Sequence, residues 1–179
     1  MKPDLIRIAL IGPESSGKTT LCEKLSENFN TCFVPEFARE YISALKRPYT
    51  KEDIFYCAKK QLESEEQMKL KANTILFADT ELIVCKVWLL DVFGESPEWL
   101  ERKIMENKYD LYLLTSPDLP FIHDTVRENP YRRQYFFDWY KAELDKRQFN
   151  YKVVDGLNEE RFESAVQYIH NSGITNKFS

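Results

Sequence analysis

The 179-residue sequence is poor in the side chains that usually hold transition metals. It has only two histidines, and no pair of its four cysteines is in C-x-x-C spacing. Structural zinc sites use four cysteine or histidine ligands at short spacings. The sequence therefore argues against zinc. We interpret Cys22, Cys32, Cys57 and Cys85 as reduced and mostly buried.

Long apolar segments and an excess of positive charge are also missing. No apolar run approaches the ~20 residues that span a membrane, and the first residues lead into a strand-like segment rather than a signal peptide. A net charge of −4 gives no general attraction to nucleic acid or to an anionic membrane. We expect a cytoplasmic protein that binds neither nucleic acid nor a membrane. Its oligomeric state is left open. The acidic run 63–66 is expected to lie on a solvent-facing part of a helix.

Strand-like and helix-like segments alternate along the chain. The predicted strands are 5–12, 31–35, 74–79, 109–115 and 150–156, and the predicted helices begin near 17 and cover about 36–46, 51–72, 81–93, 130–147 and 158–171. This alternation predicts an α/β fold with a five-stranded, mostly parallel sheet flanked by helices. We expect one domain over 1–172, an irregular lid around 116–133, and a flexible tail over 173–179.

One short segment has the pattern of a phosphate-binding loop. Residues 12–19 read G-x-x-x-x-G-K-T between an apolar strand and a helix. Glycines let backbone N–H groups converge on an anion, and the helix adds the positive end of its dipole. Lys18 should reach the β- and γ-phosphates, and the Thr19 hydroxyl should bind Mg²⁺. The predicted triphosphate-binding residues here are Gly12, Glu14, Ser15, Ser16, Gly17, Lys18, Thr19 and Thr20.

Asp79 ends the apolar segment 74–79 and is the second expected element of such a site. It could hold Mg²⁺ through water or accept a proton from a substrate hydroxyl. The alternative is a carboxylate that caps the next helix. Thr80 could fill that role equally well.

Glu36 follows the second predicted strand, and Arg39 lies one helical turn later. Ligands of α/β sheets collect at the carboxyl ends of the strands. Glu36 could therefore bind sugar hydroxyls or act as a general base. The alternative is a surface salt bridge within E-x-x-R.

The irregular segment supplies Asp124 and Arg127, followed by Arg132 and Arg133. Cations on a lid can exclude water and neutralise a transferring phosphoryl group, although the arginines could also begin a solvated helix. The chain has no guanine-reading N-K-x-D motif and is short for a ring-forming ATPase module. These features favour a small-molecule kinase.

The sequence resembles the ribosylnicotinamide kinase domain of the NadR-like proteins, which join that domain to a nicotinamide-nucleotide adenylyltransferase. The residues that carry the resemblance are spread in order over nearly the whole chain: 12-GPESSGKTT-20, 36-EFARE-40, Gln61, 77-FADTE-81, 124-DTVR-127, Arg133, 154-VDG-156 and Arg161. It implies a nucleoside-kinase-like P-loop kinase fold with a short lid, which uses ATP and Mg²⁺ to phosphorylate the 5′-hydroxyl of nicotinamide riboside.

The resemblance also implies roles for single residues. Glu36 and Asp79 would lie at the ribose and its 5′-hydroxyl, with Arg127 and Arg133 as lid cations. Arg39, Gln61 and Asp124 would face the acceptor, and Gly156 would border the adenine. Either Glu36 or Asp79 could be the base.

The family's stacking tryptophan, which precedes the motif glutamate, is replaced here by Pro35, and Thr125 replaces the glycine of its lid motif. Stacking could come instead from Phe37, Tyr41, Tyr56 or Trp88, although core packing is the commoner role for a tryptophan in an apolar helix. Two other functions stay open: a kinase for another nucleoside or small hydroxyl compound, and a regulatory module that binds nucleotide without turnover.

Overall fold

A computed structural model describes residues 5–122 and 130–173. The described chain alternates strands and helices in the order β1 (Ile6–Ile11), α1 (Lys18–Asn28), β2 (Phe33–Val34), α2 (Phe37–Ala44), α3 (Lys51–Lys71), β3 (Ile75–Asp79), α4 (Leu82–Phe93), α5 (Glu98–Glu106), β4 (Leu111–Thr115), α6 (Arg133–Lys146), β5 (Tyr151–Val154) and α7 (Asn158–Asn171).

The five strands form one sheet in the order β2-β3-β1-β4-β5. Every pairing is parallel, and the register places Leu10 of β1 beside Asp79 of β3. Parallel strands all end at the same edge of a sheet, so the phosphate loop, Glu36 and Asp79 follow neighbouring carboxyl ends. The predicted α/β fold with a five-stranded sheet is confirmed.

Both faces of the sheet are buried, as the apolar strands predict. Alternate residues of β1 contribute to two separate cores, Ile8 and Leu10 to one and Ala9 and Ile11 to the other. Helices α1 and α7 cover the first face, and α3 to α6 cover the second. This two-sided packing holds the carboxyl edge of the sheet on a rigid base.

The solvent-facing prediction for the acidic run is wrong at Glu65. Glu63 and Glu66 are exposed, but Glu65 is only 2% exposed and its Oε1 accepts from Arg7 Nη1 at 2.7 Å. Tyr109 also donates to Glu65, at 2.7 Å. Arg7, the single charged residue of β1, therefore compensates the buried carboxylate, because a buried charge needs a partner of opposite sign.

Some element boundaries also differ from prediction. Helix α5 was not predicted, because its apolar residues are few: Leu100 and Ile104, one turn apart, are its buried side chains. Strand β2 has two residues, and α6 begins at Arg133 rather than near 130. The lid is described only in part, and the predicted tail lies outside the described residues except for Gly173.

The cysteine prediction agrees with the structure in its burial. Cys22, Cys57 and Cys85 are buried and Cys32 is half-buried, and each is a free thiol. Within the described ranges, no helix is both long and apolar enough to cross a membrane.

Candidate active site

The turn between β1 and α1 has backbone angles that favour glycine at two positions. Gly12 has φ +154°, and a Cβ on it would lie 2.3 Å from Thr115 Oγ1 and 2.7 Å from the Thr115 carbonyl oxygen. Gly17 has φ +78° and directly precedes α1. Any larger residue at position 12 would push the loop off β4. The loop can follow this path only with glycine there.

Lys18, the first residue of α1, curls back over this loop. Its Nζ donates to the carbonyl oxygens of Gly12 and Pro13 at 2.9 and 3.0 Å. The buried Ser16 hydroxyl donates to the Pro13 carbonyl at 2.7 Å and lies 2.6 Å from Thr115 Oγ1. The loop is thus anchored to β4 through Thr115, and the ammonium group of Lys18 lies beside the cavity that an anion would enter.

Asp79 lies directly against the start of α1. The Thr19 hydroxyl donates to Asp79 Oδ2 at 2.6 Å, while Oδ1 is buried and has no hydrogen-bond partner among the described residues. Burial raises the pKa of Asp79 above its ordinary value, and Lys18, the Thr19 hydroxyl and Arg39 act in the opposite direction. An orphaned buried carboxylate oxygen next to a threonine hydroxyl suits a hard divalent cation.

The alternative role of Asp79 as a helix cap does not hold. The N-cap of α4 is Glu81, whose side chain accepts from the Ile83 N–H at 2.9 Å. Thr80 does not cap the helix either: its backbone has φ +80°, and its hydroxyl is buried without a partner in the described chain. Asp79 is therefore left facing α1, beside the phosphate loop.

A cavity of about 1580 Å³ opens over this edge of the sheet. All eight predicted loop residues line it, as do Pro13, Glu36 and Arg39. Glu36 is the N-cap residue of α2 but its side chain makes no capping hydrogen bond to that helix. The phosphate loop therefore shares one cavity with Glu36 and Arg39, two of the five predicted acceptor residues, whereas Asp79 is not part of the cavity lining.

Of the four residues considered for stacking, Trp88 lines the cavity and the other three do not. Phe37, Tyr41 and Tyr56 pack on one another, with ring centroids 5.1–5.9 Å apart. Trp88 is half-buried, and its Nε1 donates to the Tyr49 hydroxyl at 3.2 Å. It is therefore both a packed residue of α4 and part of the cavity wall.

Gln61 lies on α3 and does not line the cavity. It is 5% exposed; its Oε1 accepts from the Phe37 N–H at 3.0 Å and its Nε2 donates to the Thr80 carbonyl at 3.4 Å. Its predicted contact with substrate stays a prediction.

The described part of the lid touches the phosphate loop at two points. Arg133 donates to the carbonyl oxygens of Leu119 and Ser15 at 2.7 and 3.1 Å. The Ile122 N–H donates to Ser15 Oγ at 3.1 Å. Arg132 is exposed and pairs with Asp91 on the cavity wall. Both arginines stand at the start of α6, as the alternative interpretation expected, and both also make contacts at this site.

Two predicted lid residues, Asp124 and Arg127, lie outside the described residues. Their predicted roles at the acceptor and at the transferring group therefore stay predictions.

Arg161, one of the residues that carry the family resemblance, is a buried arginine at the other end of the site. The sequence alone suggests no role for it. Arg161 is 4% exposed; it donates to the carbonyl oxygens of Ser16 and Gly156 at 2.9 and 3.0 Å and pairs with Asp118. The Gly156 N–H also donates to Asp118, at 2.8 Å. Gly156 thus belongs to a turn that is tied to the phosphate loop. Sequence spacing could not reveal this tie, because Arg161 is 145 positions from Ser16 and 43 from Asp118.

The fold and this edge of the sheet define a P-loop nucleotide-binding protein. Residues 7–161 match the family described as AAA domain, and the chain belongs to that family. The match covers all five strands apart from Ile6, and it includes the phosphate loop.

The comparisons extend to complete proteins and solved structures. The chain is 26% identical over 170 residues to the trifunctional NAD biosynthesis/regulator protein NadR of Escherichia coli (strain K12), which covers 91% of this chain but only 38% of that protein. Solved NadR structures in complex with NR and with NAD and AMP-PNP give TM-scores of 0.81 and 0.79 at 23% and 22% identity; each covers 94% of this chain, and 52% and 49% of the other.

Deoxyadenosine kinase from M. mycoides gives a TM-score of 0.60 at 12% identity, covering 93% of this chain and all of that one. The fold is thus the P-loop kinase fold that NadR and nucleoside kinases share. The chain spans well under half of its curated relative and about half of each NadR structure.

Proposed function

We propose that this protein is an ATP-dependent kinase that transfers a phosphoryl group to the 5′-hydroxyl of nicotinamide riboside and yields nicotinamide mononucleotide. The observation that carries the proposal is the shared cavity: Lys18 and Thr19 of the phosphate loop line it together with Glu36 and Arg39. A protein that only bound nucleotide would have no need of a carboxylate beside the phosphate loop in the same cavity.

The donor side of the cavity suits the triphosphate of ATP. Lys18 already donates to loop carbonyls, and an incoming phosphate would offer it stronger, charge-assisted acceptors. The N-terminus of α1 adds unpaired N–H groups that favour an anion. These groups would hold the β- and γ-phosphates in line with an acceptor hydroxyl.

Thr19 and Asp79 are the residues that would hold Mg²⁺. Both offer the oxygen atoms that this ion prefers, and Asp79 Oδ1 is a buried acceptor without a protein partner in the described chain. When bound, the ion neutralises charge on the β- and γ-phosphates. Lys18 and the positive end of α1 would then face the negative charge of the triphosphate, and Asp79 would hold the ion beside it.

The acceptor side carries the groups that would position a nucleoside. Glu36 can accept hydrogen bonds from ribose hydroxyls, and Glu36 or Asp79 can take the proton of the 5′-hydroxyl as the phosphoryl group transfers. Arg133, which donates to the Ser15 carbonyl oxygen of the phosphate loop, would act as the cation at the transferring phosphoryl group. We propose that this arrangement, completed by Arg127 and Asp124, excludes water from the transfer.

Trp88 would supply the aromatic surface for the base. The position of the family's stacking tryptophan is occupied by the exposed Pro35, whereas Trp88 lies on the cavity wall. An aromatic ring can stack on any planar base, so this wall supports a nucleoside acceptor in general. The relatives named NadR, one of them solved in complex with NR, favour nicotinamide riboside.

The proposal is tested by measuring ADP release from Mg-ATP with nicotinamide riboside and with a panel of ordinary nucleosides. Turnover with nicotinamide riboside alone supports both the chemistry and the acceptor. Turnover with another nucleoside keeps the kinase and replaces the acceptor. ATP binding without turnover on any acceptor would contradict the kinase and favour the regulatory module.

A further inference from the structure

Gln61 occupies a buried position between the two backbone segments that carry the candidate bases. Phe37, whose N–H donates to Gln61 Oε1, directly follows Glu36. Thr80, whose carbonyl accepts from Gln61 Nε2, directly follows Asp79. One side-chain amide therefore links the residues next to both carboxylates.

Each end of this link meets a backbone group that needs a partner. Phe37 is the first residue of α2, so its N–H has no partner within the helix. An N-cap side chain reaches the N–H of the second or third helical residue rather than that of the first, and the Glu36 side chain makes no capping bond to α2. Gln61 supplies the acceptor for the Phe37 N–H from a different helix.

The other end of the link lies at a strained residue. Thr80 is β-branched and has φ +80°, a region that such residues rarely adopt. Strain of this kind persists when the surroundings hold the backbone in place, and it concentrates at functional sites. The Thr80 N–H donates to the Leu10 carbonyl at 3.1 Å, and Gln61 binds the Thr80 carbonyl on the other side of the residue. Together these two hydrogen bonds fix the path of the backbone directly after Asp79, the last residue of β3.

We propose that Gln61 is a positioning residue of the phosphoryl transfer, which fixes Glu36 relative to Asp79 without touching either substrate. This rests on the proposed kinase function. The amide suits the role because it has one acceptor and one donor at opposite sides of a planar group. Its burial of 95% and its absence from the cavity wall leave the acceptor no direct access to it.

The test compares Gln61→Met, which keeps the length and loses both hydrogen bonds, with Gln61→Glu, which loses the donor. Gln67→Met is the matched control, because Gln67 is an exposed glutamine of the same helix. We expect both Gln61 variants to lower kcat about 10–100-fold, since misplacing reacting groups by an ångström has effects of this size. We expect the KM values of ATP and of the acceptor to change less than about twofold, because no substrate contact is lost.

Two outcomes of the kinetic test would overturn the proposal. A raised acceptor KM, or an altered choice among nucleosides at unchanged kcat, would mean that Gln61 binds the acceptor directly. A lower melting temperature with the kcat per folded site unchanged would mean that Gln61 serves only stability.

Amide hydrogen exchange at Phe37 gives a readout that does not require activity. The Phe37 N–H should exchange at least about tenfold faster in Gln61→Met than in wild type or in Gln67→Met, because protection by a hydrogen bond is lost. Equal exchange in all three would overturn the link even if the wild type proves inactive on every acceptor. Inactivity of the wild type would itself count against the kinase and not against the link.

Discussion

The guanidinium of Arg161 donates to the carbonyl oxygen of Ser16 at 2.9 Å, so that α7 holds the phosphate loop from behind. The same guanidinium binds the Gly156 carbonyl and Asp118, which joins the loop to the turn after β5. The nucleotide side of the cavity therefore depends on the contact between the buried Arg161 and Ser16. Neither the phosphate-loop pattern nor its spacing includes Arg161.

Replacing Arg161 with lysine should weaken ATP binding more than acceptor binding. Lysine keeps the charge but cannot make the forked set of hydrogen bonds. We expect the KM of ATP to rise about tenfold, which corresponds to about 1.4 kcal/mol, with the acceptor KM unchanged. Arg102→Lys on the exposed face of α5 is the control. An unchanged ATP KM in Arg161→Lys would contradict this role.

Removing the Lys18 ammonium should abolish turnover and leave the fold intact. Lys18→Ala loses the cation that reaches the phosphates, and we expect kcat to fall at least about 10²-fold, as for other lost electrostatic contacts to a transition state. Lys103→Met on α5 is the control, since Lys103 lies outside the cavity wall. Circular dichroism and thermal melting would confirm the fold. Full activity of Lys18→Ala would refute the phosphate-loop assignment.

Glu36→Gln and Asp79→Asn should separate the two candidate bases. Loss of the true base should lower kcat roughly 10²–10⁴-fold. Asp79→Asn should in addition raise the Mg²⁺ concentration needed for half-maximal rate, because an amide is a weaker ligand for this ion than a carboxylate. A magnesium titration of both variants makes the comparison. If neither substitution slows transfer, the assigned acceptor site is wrong.

Trp88→Leu should raise the acceptor KM without changing that of ATP. Stacking of a base on an aromatic ring is worth about 1–3 kcal/mol, so the acceptor KM should rise about 5-fold to 150-fold. Trp99→Leu is the matched control: Trp99 is also half-buried, packs edge-on against Phe55 with ring centroids 4.9 Å apart, and does not line the cavity. The same acceptor KM in Trp88→Leu as in wild type would place the base elsewhere.

Glu65→Gln should lower stability and leave catalysis alone. The Glu65 carboxylate is buried against Arg7, Tyr109 and Asn107. Breaking a buried charge pair typically costs about 3–5 kcal/mol, and the partial exposure of Arg7 reduces this to about 2–4 kcal/mol. Urea unfolding measures the loss. A stability equal to that of the wild type would show that the pair contributes nothing net.

Local patterns in the sequence predicted the sheet and the phosphate loop because both depend on residues close together in the chain. Apolar runs marked the strands, and the glycines with Lys18 and Thr19 marked the loop. Asp79 was recognisable because it ends an apolar strand. The carboxyl-end rule then placed Glu36 at the same edge of the sheet.

Long-range compensation could not be read from those patterns. Glu65 looks solvent-facing in its acidic run, and only the fold brings it to Arg7, 58 positions away. The Arg161 and Gln61 links likewise join residues on different elements through backbone carbonyls and amides, which every residue has. Helix α5 was missed because two buried residues in a charged segment give a weak periodic signal.

The most direct test of the proposed function is to incubate the protein with Mg-ATP and nicotinamide riboside, and to follow ADP and nicotinamide mononucleotide together by mass spectrometry. We predict one nicotinamide mononucleotide for each ADP released, with both products lost in Lys18→Ala. ADP release that is the same with and without nicotinamide riboside, and no nicotinamide mononucleotide, would contradict the proposed function.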